Sequence, residues 1–522
     1  MMARWQDVCF LVLGLAASAA LAVAQQPLIQ RSAPKFQRGH WMEQIDCRVP
    51  VRPGGRLVLR AEPGSVDVRP GASALVGCVV HLSAYGPDPQ TARACLERYQ
   101  LKALQTSHGA YIEGSPACAG RRRSTSAAFQ VTVPLHFNVD VKTEGGNVHV
   151  EKLDGALRAE SAGGDIRTGS VLGPVWISTA GGTIVLGNIG GNLQARTAGG
   201  NIQAGNVNGS ATMETSGGEI VAGVVNGSFA AQTAGGDIVL QAASGPVQVE
   251  TAGGQIHLGE CGNSVQAQTS AGNIQVAGSR GRVRAQTSGG SITVLKAMSS
   301  VQAESAAGRI LAQIDANRGT FGPSRLETQV GDVDVFIPPT LPVTINAMIG
   351  HTMGRRIISD FPLSVEGAHG KFTMGRAGAA GPPNFSLPDI RVFGPERAVG
   401  SLNGGGSPLD IRTVMGNIQI RKLDAASIAK LKASQQVFWK NWAQISRQRA
   451  AAWRQMQAVQ GMNEQQMIEM QKQWQDLTRQ LADRAREQIE RQTFDLQKQL
   501  QELNRQLSER SHEQVKYLGG EQ

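Results

Sequence analysis

Between residues 143 and 313 the chain repeats one apolar and polar pattern every 18 residues. The marker is the second of two small residues: Gly146, Gly164, Gly182, Gly200, Gly218, Gly236, Gly254, Gly272, Gly290 and Gly308. Two places after each comes Val148, Ile166, Ile184, Ile202, Ile220, Ile238, Ile256, Ile274, Ile292 or Ile310. The second half of each period carries Leu157, Val175, Leu193, Phe229, Val247, Val265, Val283 and Val301, with a further small or apolar residue two places on. Spacing by two is a strand with alternate side chains inward, and the intervening positions are mostly polar, such as Gln203, Glu214, Gln248, Gln266 and Gln286. A period without insertions over ten repeats predicts a parallel β-solenoid, two short strands to each rung. At a strand spacing of about 4.8 Å, ten rungs span roughly 45–50 Å.

The corners read Thr-Ala-Gly-Gly on one side and Gly-x-Val-x-Gly on the other, as at Thr197 to Gly200 and Gly205 to Gly209. Glycine leaves no Cβ to collide with the neighbouring rung. Threonines at 179, 197, 215, 233, 251, 269 and 287 predict an internal ladder of hydroxyls. Asp165 and Asp237 read as exposed corner residues.

Upstream the pattern changes. Residues 1–24 read as a secretory signal: Arg4, an apolar run from Cys9 to Ala20, and Ala22-Val23-Ala24 as the cleavage site, with processing after Ala24. Residues 25–142 read as a small α+β module. Strands are predicted at 56–60, 75–83, 110–113 and 129–133, and one amphipathic helix from Pro87 to Leu104. The module holds Cys47, Cys78, Cys95 and Cys118, an even count that in an exported chain predicts two disulfides, although four cysteines allow three pairings. Cys261 falls where other rungs carry Leu153, Val171, Ile189, Val207 and Val225, so it reads as a core residue.

After Ala312 the period lapses, but Val330–Val335 and Met415–Ile420 look like further rungs around an irregular insertion, giving a closing β section over 314–423. The passage from Phe129-Gln130-Val131-Thr132-Val133-Pro134 into Thr143-Glu144-Gly145-Gly146-Asn147-Val148 resembles the bacterial putative-adhesin, or toastrack-like, family of β-strand repeats. The segments Gly331–Pro339, Ser359–Leu363 and Leu409–Arg421 are similar to its closing section, so the resemblance covers about residues 40–423. It implies an exported or envelope-facing β-solenoid with a scaffold or adhesive role. It carries no catalytic residues onto this chain.

Residues 424–522 change period again, from 2 to about 3.5. One seam runs through Ile428, Leu431, Phe438, Trp442, Ile445, Met456 and Val459; a second through Met467, Met470, Trp474, Leu477 and Leu481 resumes as Leu496, Leu500, Leu503 and Leu507. These predict a coiled-coil or helical-hairpin tail. Its apolar seams predict self-association of the chain through residues 424–522.

Net charge is +10, and the excess lies chiefly in 25–142, where 15 Lys and Arg face 8 Asp and Glu. Arg121-Arg122-Arg123 is the tight basic cluster, which reads as a solvated loop or a contact for an anionic surface. The nine histidines show no metal-ligand spacing, and no phosphate loop or calcium-roll motif follows the glycines, so no cofactor is expected. The expected role is a non-catalytic exported scaffold or adhesin, periplasmic, cell-surface or secreted, with an envelope polysaccharide or other surface ligand as partner and no nucleic acid. No transmembrane segment is expected after the signal. The alternative is a carbohydrate-active β-helix enzyme with its site in 314–410, for which Asp332, Asp334, Asp360 and Arg355 would have to converge in a groove.

Overall fold

The computed structural model describes residues 27–37, 39–85, 88–116, 118, 124–317, 319–352, 354–367, 394–429, 431 and 433. The expected leader with its Ala24 site, Arg121-Arg122-Arg123 and nearly all of the expected helical tail lie outside the described residues. The chain divides into two compact units, Met1–Leu423 and Asp424–Gln522.

The first unit is built on two parallel sheets that face each other across one core. Strands Val148–Leu153, Ile166–Val171, Ile184–Leu186 and their successors to Ile310–Ile314 form one, here the isoleucine sheet. Strands Leu157–Ser161, Val175–Thr179, Leu193–Thr197 and their successors form the other, here the threonine sheet. Equivalent residues stack in register: Ile220 on Ile238, Ile238 on Ile256, Thr233 on Thr251. The inward side chains are sealed, with Ile166, Ile184, Ile202, Ile220, Ile238 and Ile256 at 0 % exposure. Gln203, Gln248 and Gln266 are exposed on the other side of the pleat. Cys261 is buried in the stack as a free thiol.

The threonine hydroxyls stack inside as a ladder, and their hydrogen bonds run to backbone carbonyls. Each donates to the carbonyl of the second glycine of the preceding rung: Thr197 to Gly182 at 2.9 Å, Thr215 to Gly200 at 2.8 Å, Thr233 to Gly218 at 2.9 Å. The same oxygen accepts the N–H of the glycine three residues on, as at Gly200 to Thr197 and Gly236 to Thr233, both 3.3 Å. The corner carbonyl is closer than the next hydroxyl and would otherwise be buried without a donor. Asp165 and Asp237 are likewise not idle. They are half-buried, and their Oδ1 atoms accept the N–H of Thr183 at 2.8 Å and of Gln255 at 2.7 Å in the next rung.

The sheets do not stop at residues 142 and 313. Arg56–Ala61 and Gly64–Gly71 form a rung beneath Asn138–Thr143 and Val148–Leu153. Beneath that lies a rung of Gly109–Ser115 and Ser124–Pro134. The stack therefore begins out of chain order. Its other end does the same: Ser407–Met415 and Ile418–Lys422, last in sequence, insert between the rung of Ser324–Val330 and Val333–Ile337 and the rung of Val343–Ile349 and Ile357–Ser359. Antiparallel strands close both ends. Leu75–Tyr85 and His40–Pro50 cover the first end, and Glu396–Leu402 and Ser364–Gly367 line the edge of the second. On the threonine sheet both ends thus finish in antiparallel strands, whereas the isoleucine sheet finishes at its second end in the three-residue parallel strand Ile357–Ser359.

The 25–142 segment is α+β as its pattern predicts, but the helix is shorter: Pro89–Glu97 rather than Pro87 to Leu104. Asp88 caps it by accepting the N–H of Thr91 at 2.8 Å, and Ala92, Cys95 and Leu96 are its buried face. Residues Gln100–Thr106 turn instead into a strand that pairs antiparallel with Gly109–Ser115. Its alternation competes with the helical reading, and the hairpin partner across the two-residue turn Ser107-His108 decides it. Cys47 bonds Cys78, facing it in register across two antiparallel strands with Cα atoms 4.9 Å apart; Cys95 on the helix bonds Cys118, 5.5 Å apart. In the second unit, Asp424 begins a helix, accepting the N–H of Ser427 on its side chain at 2.7 Å and of Ile428 on its carbonyl at 3.0 Å.

Candidate functional site

A solenoid offers ligands its outer faces, because its core is filled. The two faces differ here. On the isoleucine sheet Val221, Val239, His257, Ala277 and Leu295 stand outside the core cluster, yet they are buried. Burial pushes the His257 imidazole below its ordinary pKa, opposed by the charge of Asp237 and by a hydrogen bond with Gln275. That stretch is closed to solvent.

The threonine sheet presents an open face. One outward row runs, rung by rung and in register, through Asp140, Arg158, Trp176, Gln194, Thr212, Ala230 and Gln248. Against this row lies the corner ledge of Asn138, Ala156, Pro174, Asn192 and Ser210, and between row and ledge opens a groove of about 700 Å³. It crosses six successive rungs, from Arg56 to Thr212, a length of about 24 Å at ordinary strand spacing.

Packing fixes its floor. The Arg158 guanidinium lies 4.0 Å from the centre of the Trp176 ring and also donates to Glu160 at 2.6 Å. Asp140 accepts from Arg56 at 2.7 Å and Arg60 at 2.9 Å. Arg196 pairs with Glu214 at 3.1 Å in the adjoining outward row. Each guanidinium beside the groove thus has a carboxylate within hydrogen-bonding distance, Asp140 being shared by two. Beyond Gln194 the row falls to Thr212, in the last rung that lines the groove.

The acidic residues that a catalytic site in 314–410 would need serve the stack instead. Asp332 accepts the N–H of Asn417 at 2.7 Å, joining the rung that inserts after it. Asp334 is buried against Arg309; burial raises its pKa, and the Arg309 guanidinium works in the opposite direction. Asp360 accepts the N–H of Lys422 at 3.0 Å. Arg355 sits in a turn, its N–H on the carbonyl of Thr352. Among the described residues no group of three or more His, Cys, Asp and Glu is placed to hold a metal ion, and no helix is long and apolar enough to cross a membrane.

The hydrophobic pattern does not single out Trp176, since it falls at an outward position. The signal available in the sequence is that the same place in neighbouring rungs holds polar or small residues.

No family model matches this chain, and no curated protein does. Two solved structures are similar to it. One is a putative cell adhesion protein from Clostridium sporogenes, 9 % identical, covering 75 % of this chain and 100 % of that one with a TM-score of 0.14. The other is a putative adhesin from Bacteroides fragilis, 12 % identical, covering 51 % of this chain and 95 % of that one with a TM-score of 0.19.

Proposed function

We propose that this protein is a non-catalytic, adhesin-like protein of the bacterial cell exterior, and that the open face of its threonine sheet is what it presents. The observation that carries the reading is the stack itself. The rungs stack in register over about 67 Å at ordinary strand spacing, and the carboxylates of the closing section are committed to joining rungs. Two disulfides in the N-terminal segment suit an oxidising compartment. The adhesin descriptions of the two similar structures agree with it.

The test uses the full-length chain. Beads coated with it should attach to surfaces bearing bacterial envelope polysaccharide, and incubation with the same polysaccharide should release no new reducing ends. Sugar fragments appearing with time would contradict the non-catalytic reading. Residues 424–522 are proposed to join copies of the chain through their apolar seams. Light scattering should give an oligomer for the full chain and a monomer after truncation at Leu423, which leaves the last solenoid strand intact; a monomeric full-length chain would overturn this.

A further inference from the structure

We infer that the groove over Arg158, Trp176 and Gln194 is a binding site for an extended, uncharged polysaccharide lying along the stacking direction. This rests on the adhesin-like reading and gives it a ligand class. Four observations lead there. The first is Trp176 itself. An indole on the solvent side of a sheet adds nothing to the core, and the fold places Asp140, Gln194, Thr212, Ala230 or Gln248 at the same spot in other rungs. Arg158 holds the ring from one side, and the ring lines the groove. Aromatic rings offer a rigid apolar surface on which the C–H face of a pyranose can pack.

The second is the chemistry beside it. The Gln194 amide makes no hydrogen bond within the described residues, and it brings both donor and acceptor to the groove. Hydroxyls of a sugar need that mixture. The third is charge. Each of these guanidiniums has a carboxylate partner: Arg56 and Arg60 share Asp140, Arg158 pairs with Glu160, and Arg196 with Glu214. A groove built for a polyanion would leave cations unpaired, since an anionic ligand must find them free. The fourth is shape. The groove is long, open and crosses six rungs, so it suits a chain that repeats along its own length and not a compact metabolite, which is usually enclosed.

Full-length protein is titrated calorimetrically with cellohexaose, mannohexaose and chitohexaose, with hexagalacturonate as the charged counterpart. At least one uncharged hexasaccharide should bind, and more tightly than hexagalacturonate. Trp176→Ala should weaken binding at least tenfold, about 1.4 kcal/mol, without shifting the melting temperature. Thr212→Arg, which puts a long charged side chain into the end of the groove and leaves the indole in place, should weaken it as well. Gln286→Ala, outward on the same sheet and beyond the groove, should leave it unchanged. Failure of all three uncharged probes to bind, preference for hexagalacturonate, or binding that survives both Trp176→Ala and Thr212→Arg would each overturn the assignment. Bead attachment is measured in parallel: if Trp176→Ala beads attach like wild type, the groove assignment fails while the adhesin-like reading stands.

Discussion

At the scale of single residues, the two glycines of each corner do different work. A Cβ on Gly200 would sit 2.1 Å from the carbonyl oxygen of Gly182, whereas one on Gly199 meets nothing nearer than 3.8 Å. The sequence carries the same distinction: alanine replaces the first glycine at Ala271 and Ala307, and the second is glycine in all ten repeats. Gly200→Ala should therefore destabilise by about 1–3 kcal/mol through forced separation of rungs, and Gly199→Ala should be nearly neutral. Chemical denaturation of the two variants compares them; equal midpoints would refute the close-approach argument. Thr233→Val removes the donor to the Gly218 carbonyl while keeping the shape. It should cost about 1–3 kcal/mol, the usual penalty for a buried group left unpaired, and an unchanged midpoint would contradict it. The repeat of threonine was legible from the sequence, but its partner was not, since that bond joins residues 15 apart and depends on how one rung sits on the next. Cys261 belongs here too. Burial, aided by the charge of Glu260, pushes its thiol up to about 12. Iodoacetamide at pH 8 should leave it unmodified in the folded protein and alkylate it in denaturant; rapid labelling of the native chain would show that the stack is open there.

At the scale of the strand, period-two alternation was enough to assign inside from outside. Ile238 has no exposed surface and Gln248 is fully on the solvent side. Ile238→Asp loses roughly 1.5–3 kcal/mol of apolar burial and adds the cost of a carboxyl with no partner in the stack. It should lower the melting temperature by about 10 °C or more, and Gln248→Asp should change it little. Comparable melting of the two would reverse the assignment of faces. The helix from Pro89 shows where pattern alone falls short. Leu101 and Leu104 continue a helical period while Leu101 and Ala103 fit an alternating one, and the choice was made by the strand Gly109–Ser115 that pairs with them, leaving Leu104 exposed. The asymmetry of the two outer faces was also hidden. Val221 and Val239 are outward by register and buried in fact, and no local pattern encodes burial on the far side of a sheet.

At the scale of the molecule, one device recurs at both ends. The chain lays down a rung, goes beyond it to build a cap, and returns to place another rung on the side it first left. At the second end the closing rung, with Val333 opposite Ile418 and Val335 opposite Ile420, is wedged between two earlier ones. The sequence shows that Val330–Val335 and Met415–Ile420 are rungs, but a rung pattern reads the same wherever it is inserted, so the order was not legible. The consequence is mechanical. The last strand cannot peel from the end like the final turn of a simple coil, because Ile357–Ser359 pairs on its outer side, and Arg56–Ala61 is likewise held between Gly109–Ser115 and Asn138–Thr143. The central claim is that one sealed stack, continuous from the cysteine-bearing segment to Lys422, holds the outer face of the threonine sheet in fixed register. Hydrogen exchange of the full-length protein, read by mass spectrometry, tests it most directly. Amides of Arg56–Ala61 and Ile418–Lys422 should exchange as slowly as those of Ile238–Ala243 in the middle of the repeats. Exchange of either terminal strand at the rate of the exposed corners, with the middle still protected, would contradict it.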